Sequence, residues 1–312
     1  MADASIITIP KVTESYAPHP LQTIDVYNIA RTPSSTWLMS VPSTPPLPPT
    51  RLTKNSFIHG GAWRDPLVSS TAGHNLLTRL LSGASAPPPL NAASINYRLS
   101  PHPSHPHLHE QNTAKHPDHL DDVLAALRHL CVKYGMTDYV LIGHSAGATL
   151  SFQCLHELRQ RRKGKAAVSG GGDGGGGGGG ALREPRMVVG VEGIYDLASL
   201  VDEYPQYQGF VEGAFGEEAA AAAVDGRGVW ESASPRKFGV SGYKGMVVLA
   251  QSDEDTLLSW RQTEEMKEAV ERDLGVGGGL RVVKVVGQHH DVVEKCYERL
   301  AGVVERYLKE PA

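Results

Sequence analysis

Cysteine is scarce in this chain. Cys131, Cys154 and Cys296 are the only three, and they stand far apart inside apolar patterns. An odd number without metal-type spacing excludes a disulfide scaffold and a zinc module, so free thiols in a reducing compartment are expected. Basic charge is not in excess either: 30 Lys and Arg face 34 Asp and Glu, for a net charge of -4. That removes the electrostatic footprint of a nucleic-acid partner and of a polybasic membrane patch. The one basic run, Arg159 to Lys165, suits the end of a helix, where cations complement the dipole. Long apolar stretches are missing as well, and Met1-Ala2-Asp3-Ala4-Ser5 does not begin a basic leader. The expectation is a soluble cytoplasmic protein with no nucleic-acid or membrane partner.

Proline and glycine are plentiful, and they divide the chain into alternating elements. Strands are predicted over residues 21–29, 36–41, 55–58, 92–97, 138–144, 187–191, 246–250 and 280–286, with residues 1–20 irregular. Helices are predicted over 72–81, 116–134, 146–163, 260–274 and 292–308. In 116–134, Leu120, Val123, Leu127, Leu130 and Cys131 recur at helical spacing, and Gly135 supplies the stop. This alternation argues for an α/β fold, a mostly parallel central sheet covered by helices on both faces. The whole span 1–312 reads as a single domain. An aromatic-rich cap segment is expected at about 195–240. A flexible glycine-rich insertion, which cannot repay its ordering entropy, is expected at about 166–182. A loop at 101–117 carries five histidines, and its interspersed prolines argue for a solvated loop over a preorganised metal site.

The chemistry centres on Asp138-Tyr139-Val140-Leu141-Ile142-Gly143-His144-Ser145-Ala146-Gly147. An apolar β-branched run enters Gly-x-Ser-x-Gly and a small-residue helix start follows, which places Ser145 at the apex of a tight strand-to-helix turn. A free serine is a weak nucleophile, so the reading requires a base, an orienting acid and an oxyanion site. Three other predicted strand ends carry such groups. His59-Gly60-Gly61-Ala62-Trp63 offers bare Gly60 and Gly61 amides that, with the Ala146 amide, can face an oxyanion. His59 would brace that loop, and Trp63 would border a substrate pocket or pack. Asp253, Glu254 and Asp255 follow a late strand, and each could orient a base. His289 and His290 precede the last helix, for which Asp291 is the expected N-cap. The order Ser…Asp…His is that of α/β-hydrolases.

At these residues the chain resembles the fungal kynurenine formamidases (arylformamidases) of the α/β-hydrolase superfamily. The resemblance runs through Pro20–Tyr27, His59–Trp63, Asn96–Pro101, His116–His119, Gly143–Ala148 and Gly193–Leu197. In that family an Asp stands six residues before an Arg-Gln pair, which here implies Asp255 ahead of Arg261-Gln262. The family's catalytic histidine precedes an Asp by two positions, which implies His289. The resemblance implies a Ser145–His289–Asp255 triad that hydrolyses N-formyl-L-kynurenine to L-kynurenine and formate, on the tryptophan route toward NAD. It implies no cofactor, no metal and a homodimer. The residues do not single out a partner for the substrate carboxylate, Arg98 being one candidate among several. The rival expectations are a broad-specificity carboxylesterase of the same fold and a non-catalytic binding protein.

Overall fold

Segments rich in β-branched and apolar residues become the strands of one sheet. The computed structural model describes residues 9–28, 53–82, 91–168, 182–218 and 228–308. The strands are β1 (Lys11–Ser15), β2 (Thr23–Asn28), β3 (Thr53–Ile58), β4 (Asn91–Ile95), β5 (Asp138–His144), β6 (Met187–Val191), β7 (Met246–Ser252) and β8 (Leu280–Val285). Their spatial order is β1-β2-β4-β3-β5-β6-β7-β8. β1 and β2 run antiparallel to their neighbours, and every pairing from β4 through β3 to β8 is parallel. β1 falls where the sequence predicts irregular chain. Its residues are largely exposed, so no apolar alternation marks it. The strand expected over 36–41 and the glycine run of 169–180 lie outside the described residues.

The helices are α1 (His74–Ser82), α2 (Asp118–Tyr134), α3 (Ala146–Val168), α4 (Leu197–Glu203), α5 (Gln208–Phe215), α6 (Val229–Ala233), α7 (Pro235–Phe238), α8 (Trp260–Leu274), α9 (Asp291–Glu294) and α10 (Glu298–Leu308). Side chains of β5 alternate between two cores because the strand is covered on both faces. Tyr139 and Leu141 pack with Leu127, Leu130 and Leu150 of α2 and α3. Val140 and Ile142 pack with Leu76, Leu77, Leu80, Leu300 and Val304 of α1 and α10. Truncating a fully buried leucine such as Leu77 to Ala in such a core costs about 2–5 kcal/mol.

Two expectations change in the last third of the chain. The helix predicted over 292–308 is broken in two at Lys295, which has non-helical φ of -127°. His290, not Asp291, holds the N-cap position, and its side chain makes no capping bond. Asp291 sits in the first turn and pairs with Lys295 at 2.8 Å. Between β6 and β7 the stretch expected as an aromatic-rich cap segment contains α4 to α7. Its Phe210, Phe215 and Trp230 join the same core as Trp63.

Candidate active site

The turn between β5 and α3 holds Ser145 at φ 54°, a left-handed conformation uncommon outside glycine. Flanking glycines make the close approach possible. A Cβ on Gly143 would lie 2.2 Å from the Gly147 carbonyl oxygen, and one on Gly147 would lie 2.2 Å from that of Ile58. Ser145 is thereby lifted above the carboxyl end of the sheet, where it lines a cavity of about 270 Å³. Ala146 opens α3, so its N–H has no acceptor within the helix.

The chain after β3 turns sharply under this serine. Gly61, Ala62 and Trp63 have φ of 85°, 48° and 59°. Gly61 lines the cavity, and Gly60 packs on Ser145 and His144. His59 Nδ1 donates to the Gly60 carbonyl at 3.0 Å, and the His59 ring stacks on Tyr97 at 4.4 Å. Tyr97 Oη donates to the carbonyls of His59 and Gly60 at 3.1 and 3.0 Å. His59 is buried, and burial lowers its ring from the ordinary value to about 4, so it is a neutral brace. Neither His59 nor Trp63 lines the cavity. Trp63 is fully buried and meets Phe215 edge-on at 4.9 Å, because α5 lays its aromatics over the indole. The aromatic wall consists of Tyr207 and Phe210 instead.

Of the three acids after β7, Asp255 alone reaches the histidine that enters the cavity. His289 Nδ1 donates to Asp255 Oδ2 at 2.8 Å. Asp255 Oδ1 accepts from the amides of Leu257 and Leu258 at 2.8 and 3.0 Å, and Gln251 Nε2 donates to Oδ2 at 3.1 Å. Burial raises the Asp255 carboxyl, but the His289 bond and these amides outweigh it and hold the group below the ordinary carboxylate range. Asp253 faces solvent, bonded to Trp260 Nε1 and paired with Lys284, and Glu254 is exposed. His289 is buried and lines the cavity with Ser145, whereas His290 lines it from an exposed position. With Nδ1 committed to Asp255, the other ring nitrogen of His289 is left for the cavity side.

The Arg261-Gln262 pair has a structural reason. Gln262 is buried in α8; its Oε1 accepts from the amides of Tyr195 and Asp196 at 2.8 and 2.9 Å, and its Nε2 donates to the Asp196 carbonyl. One side chain thus ties the segment after β6 to the helix that follows the Asp255 loop. Arg98, a candidate for the substrate carboxylate, is committed elsewhere. Its guanidinium holds Asp122 at 2.8 Å, away from the cavity.

Two features of the site escape sequence reasoning. Arg64 and Asp65, directly after Trp63, line the cavity. The Arg64 guanidinium lies 5.6 Å above the Phe210 ring and has no ion-pair partner among the described residues. The second feature is Glu192, the residue after β6, with φ 46° and no exposure. A left-handed non-glycine residue costs on the order of 1–3 kcal/mol, and such strain collects at functional sites. An acid at a strand's carboxyl end, between apolar Val191 and Gly193, was the available signal. The donor atoms of His144, Glu192 and His289 lie within 4.8 Å of one another, the one such group found among the described residues. Both imidazoles are already engaged, since His144 Nε2 donates to the His289 carbonyl at 2.8 Å and His289 Nδ1 to Asp255. The histidines of the 101–117 loop form no such group among the described residues, and His102 lines the cavity.

Comparison with known proteins agrees with this architecture. A family model for the alpha/beta hydrolase fold matches residues 56–171. A kynurenine formamidase of Meyerozyma guilliermondii is 34% identical, covering 81% of this chain and 86% of the relative. One from Aspergillus versicolor is 30% identical over 77% of this chain and 83% of its own. Among solved structures, esterase B from Lactobacillus rhamnosis superposes with a TM-score of 0.62 at 15% identity, covering 96% of this chain and 84% of that one. Carboxyl esterase 2 from Tuber melanosporum gives a TM-score of 0.60 at 15% identity, with 97% and 87% covered. At that identity the structural likeness speaks for the fold alone. The sequence relatives go further: the chain belongs to the kynurenine formamidase family, a group of hydrolases on the α/β-hydrolase fold.

Proposed function

We propose that the chain hydrolyses N-formyl-L-kynurenine to L-kynurenine and formate, with Ser145 as nucleophile, His289 as general base and acid, and Asp255 as the acid that orients His289. The observation that carries this reading is one cavity lined by Ser145, His289, Gly61, two aromatic rings and Arg64, which has no ion pair among the described residues although Asp65 stands beside it. Those groups match an aryl formamide that bears an α-amino acid.

Ser145 Oγ attacks the formyl carbon while His289 takes the hydroxyl proton. The carbonyl π electrons move to oxygen, and the amides of Gly60, Gly61 and Ala146 receive the charge. A donor of that kind contributes about 2.7–4 kcal/mol. Collapse breaks the C–N bond, and the imidazolium delivers its proton to the departing aniline nitrogen. Water then adds to the formyl-serine ester, His289 takes its proton, and formate leaves as Ser145 recovers its hydrogen. Asp255 fixes the imidazole tautomer and stabilises its cation in both halves.

The substrate's aryl ring would lie against Tyr207 and Phe210, with α4 to α7 acting as the cap over it. Arg64 is the partner of its carboxylate, a role Arg98 cannot fill. The test is catalytic efficiency on N-formyl-L-kynurenine beside p-nitrophenyl acetate and butyrate. A clear preference for the formamide is expected. A preference for the esters would make the protein a broad-specificity carboxylesterase of the same fold.

A further inference from the structure

His289 Nδ1 faces two carboxylates. Asp255 Oδ2 accepts from it at 2.8 Å, and Glu192 Oε2 stands 3.6 Å away, supplied by the neighbouring strand β6. Glu192 Oε2 also lies 3.7 Å from His144 Nε2, and neither of its oxygens has a hydrogen-bond partner among the described residues. An acid wholly removed from water, in a left-handed backbone, eased only by the Ser252 amide and set against the catalytic imidazole is a costly arrangement.

Resting on the triad reading above, we propose that Glu192 is a positioning residue for His289, a second acid that stays neutral while Asp255 is charged and takes over the imidazole when Asp255 is lost. The groups facing Glu192 are His144 from β5, Tyr195 beyond β6, the Ser252 amide and Asp255 at the end of and after β7, and His289 after β8; His290 acts on His144. Two carboxylates this close cannot both ionise cheaply. Asp255 keeps the charge because the amides of Leu257 and Leu258 and the Gln251 side chain bond to it. Burial, and then the charge on Asp255, raise Glu192 to about 8. The two acids therefore hold one proton between them near neutrality, and the proton leaves Glu192 as pH rises or as Asp255 is removed. Removing Asp255 takes away one cause of the raised value, so Glu192 ionises more readily beside the same imidazole nitrogen.

The experiment is a double-mutant cycle of Asp255→Ala and Glu192→Gln on N-formyl-L-kynurenine, with kcat and KM resolved from pH 5.5 to pH 9 and each variant checked by thermal melting. Losing the acid of a serine triad ordinarily costs about 10⁴-fold in kcat. Asp255→Ala is expected to lose only about 10²-fold, in kcat rather than KM, with a limb that rises with pH. Adding Glu192→Gln should remove that limb and lower kcat by at least about tenfold more, whereas Glu192→Gln in the wild-type background lowers it only a few-fold. If Asp255→Ala does not fold, Asp255→Asn is read in the same way. Equal losses from Glu192→Gln in both backgrounds, or a full loss with a flat profile in Asp255→Ala, would overturn the proposal. Ser145→Ala and His289→Ala serve as the separate control. Activity surviving in either one refutes the triad itself, while their inactivity together with an additive cycle refutes only the role of Glu192.

Discussion

A Cβ placed on Gly60 would lie 3.0 Å from Cβ of Ser145 and 3.1 Å from His144 Nδ1. The loop after β3 and the turn after β5 therefore press together so closely that a methyl group would push its neighbours by a few tenths of an ångström. Gly60→Ala is predicted to lower kcat on N-formyl-L-kynurenine by at least about 10²-fold, the scale of one lost oxyanion donor, with a smaller change in KM. Steady-state kinetics on a folded variant checks this. Wild-type kcat would show that the loop can move aside.

The two adjacent histidines should separate cleanly. His289→Ala is predicted to abolish turnover, because His289 holds the bond to Asp255, while His290→Ala keeps most of it. Asp253→Asn should likewise stay active, since Asp253 meets Trp260 and Lys284 in solvent. Kinetics of the three variants decides. An inactive His290→Ala with an active His289→Ala would reverse the assignment.

Most of the sheet and its helices can be read from the sequence because parallel strands buried on both faces leave continuous apolar runs, as in Val140-Leu141-Ile142 and Met187–Val191. β1 is invisible to that logic, as an exposed edge strand carries no apolar signal. The strand ends that bear Ser145, the acids 253–255 and the pair His289-His290 are legible in chain order, while the choice of Asp255 and His289 is what the resemblance to the formamidases implies. Glu192 is not legible, since its meaning comes from strand adjacency: β6 lies between β5 and β7, and the residue after it reaches His144 and His289. For Trp63 the sequence leaves pocket wall and packing both open; α5 covers the indole, and Tyr207 and Phe210 line the cavity.

Arg64 gives a specificity test. Arg64→Met keeps the apolar stem but loses the charge, and is predicted to raise KM for N-formyl-L-kynurenine by about tenfold or more, the scale of one charge-assisted hydrogen bond. For formanilide, which has no carboxylate, KM should change by less than about twofold. An equal rise for both substrates would assign Arg64 to packing against Phe210.

Stability should depend on pH through Glu192. Its folded-state value, raised to about 8, exceeds the ordinary 4.5, so the folded chain keeps a proton that the unfolded chain releases. The stabilisation relative to the charged form is fully present below about 4.5 and is lost as pH rises toward 8. Glu192→Gln cannot ionise and does not share that loss. Its Tm minus the wild-type Tm is predicted to increase from pH 5 to pH 8, by at least about 3 °C. Thermal melts in matched buffers check this, and a pH-independent difference would show that Glu192 does not titrate in that window.

The most direct test of the account is labelling with a fluorophosphonate probe followed by peptide mass spectrometry. The wild-type chain is predicted to carry the probe on Ser145, with no labelling in Ser145→Ala and strongly slowed labelling in His289→Ala. Labelling that persists in Ser145→Ala, or that maps to another residue while N-formyl-L-kynurenine is still hydrolysed, would contradict it.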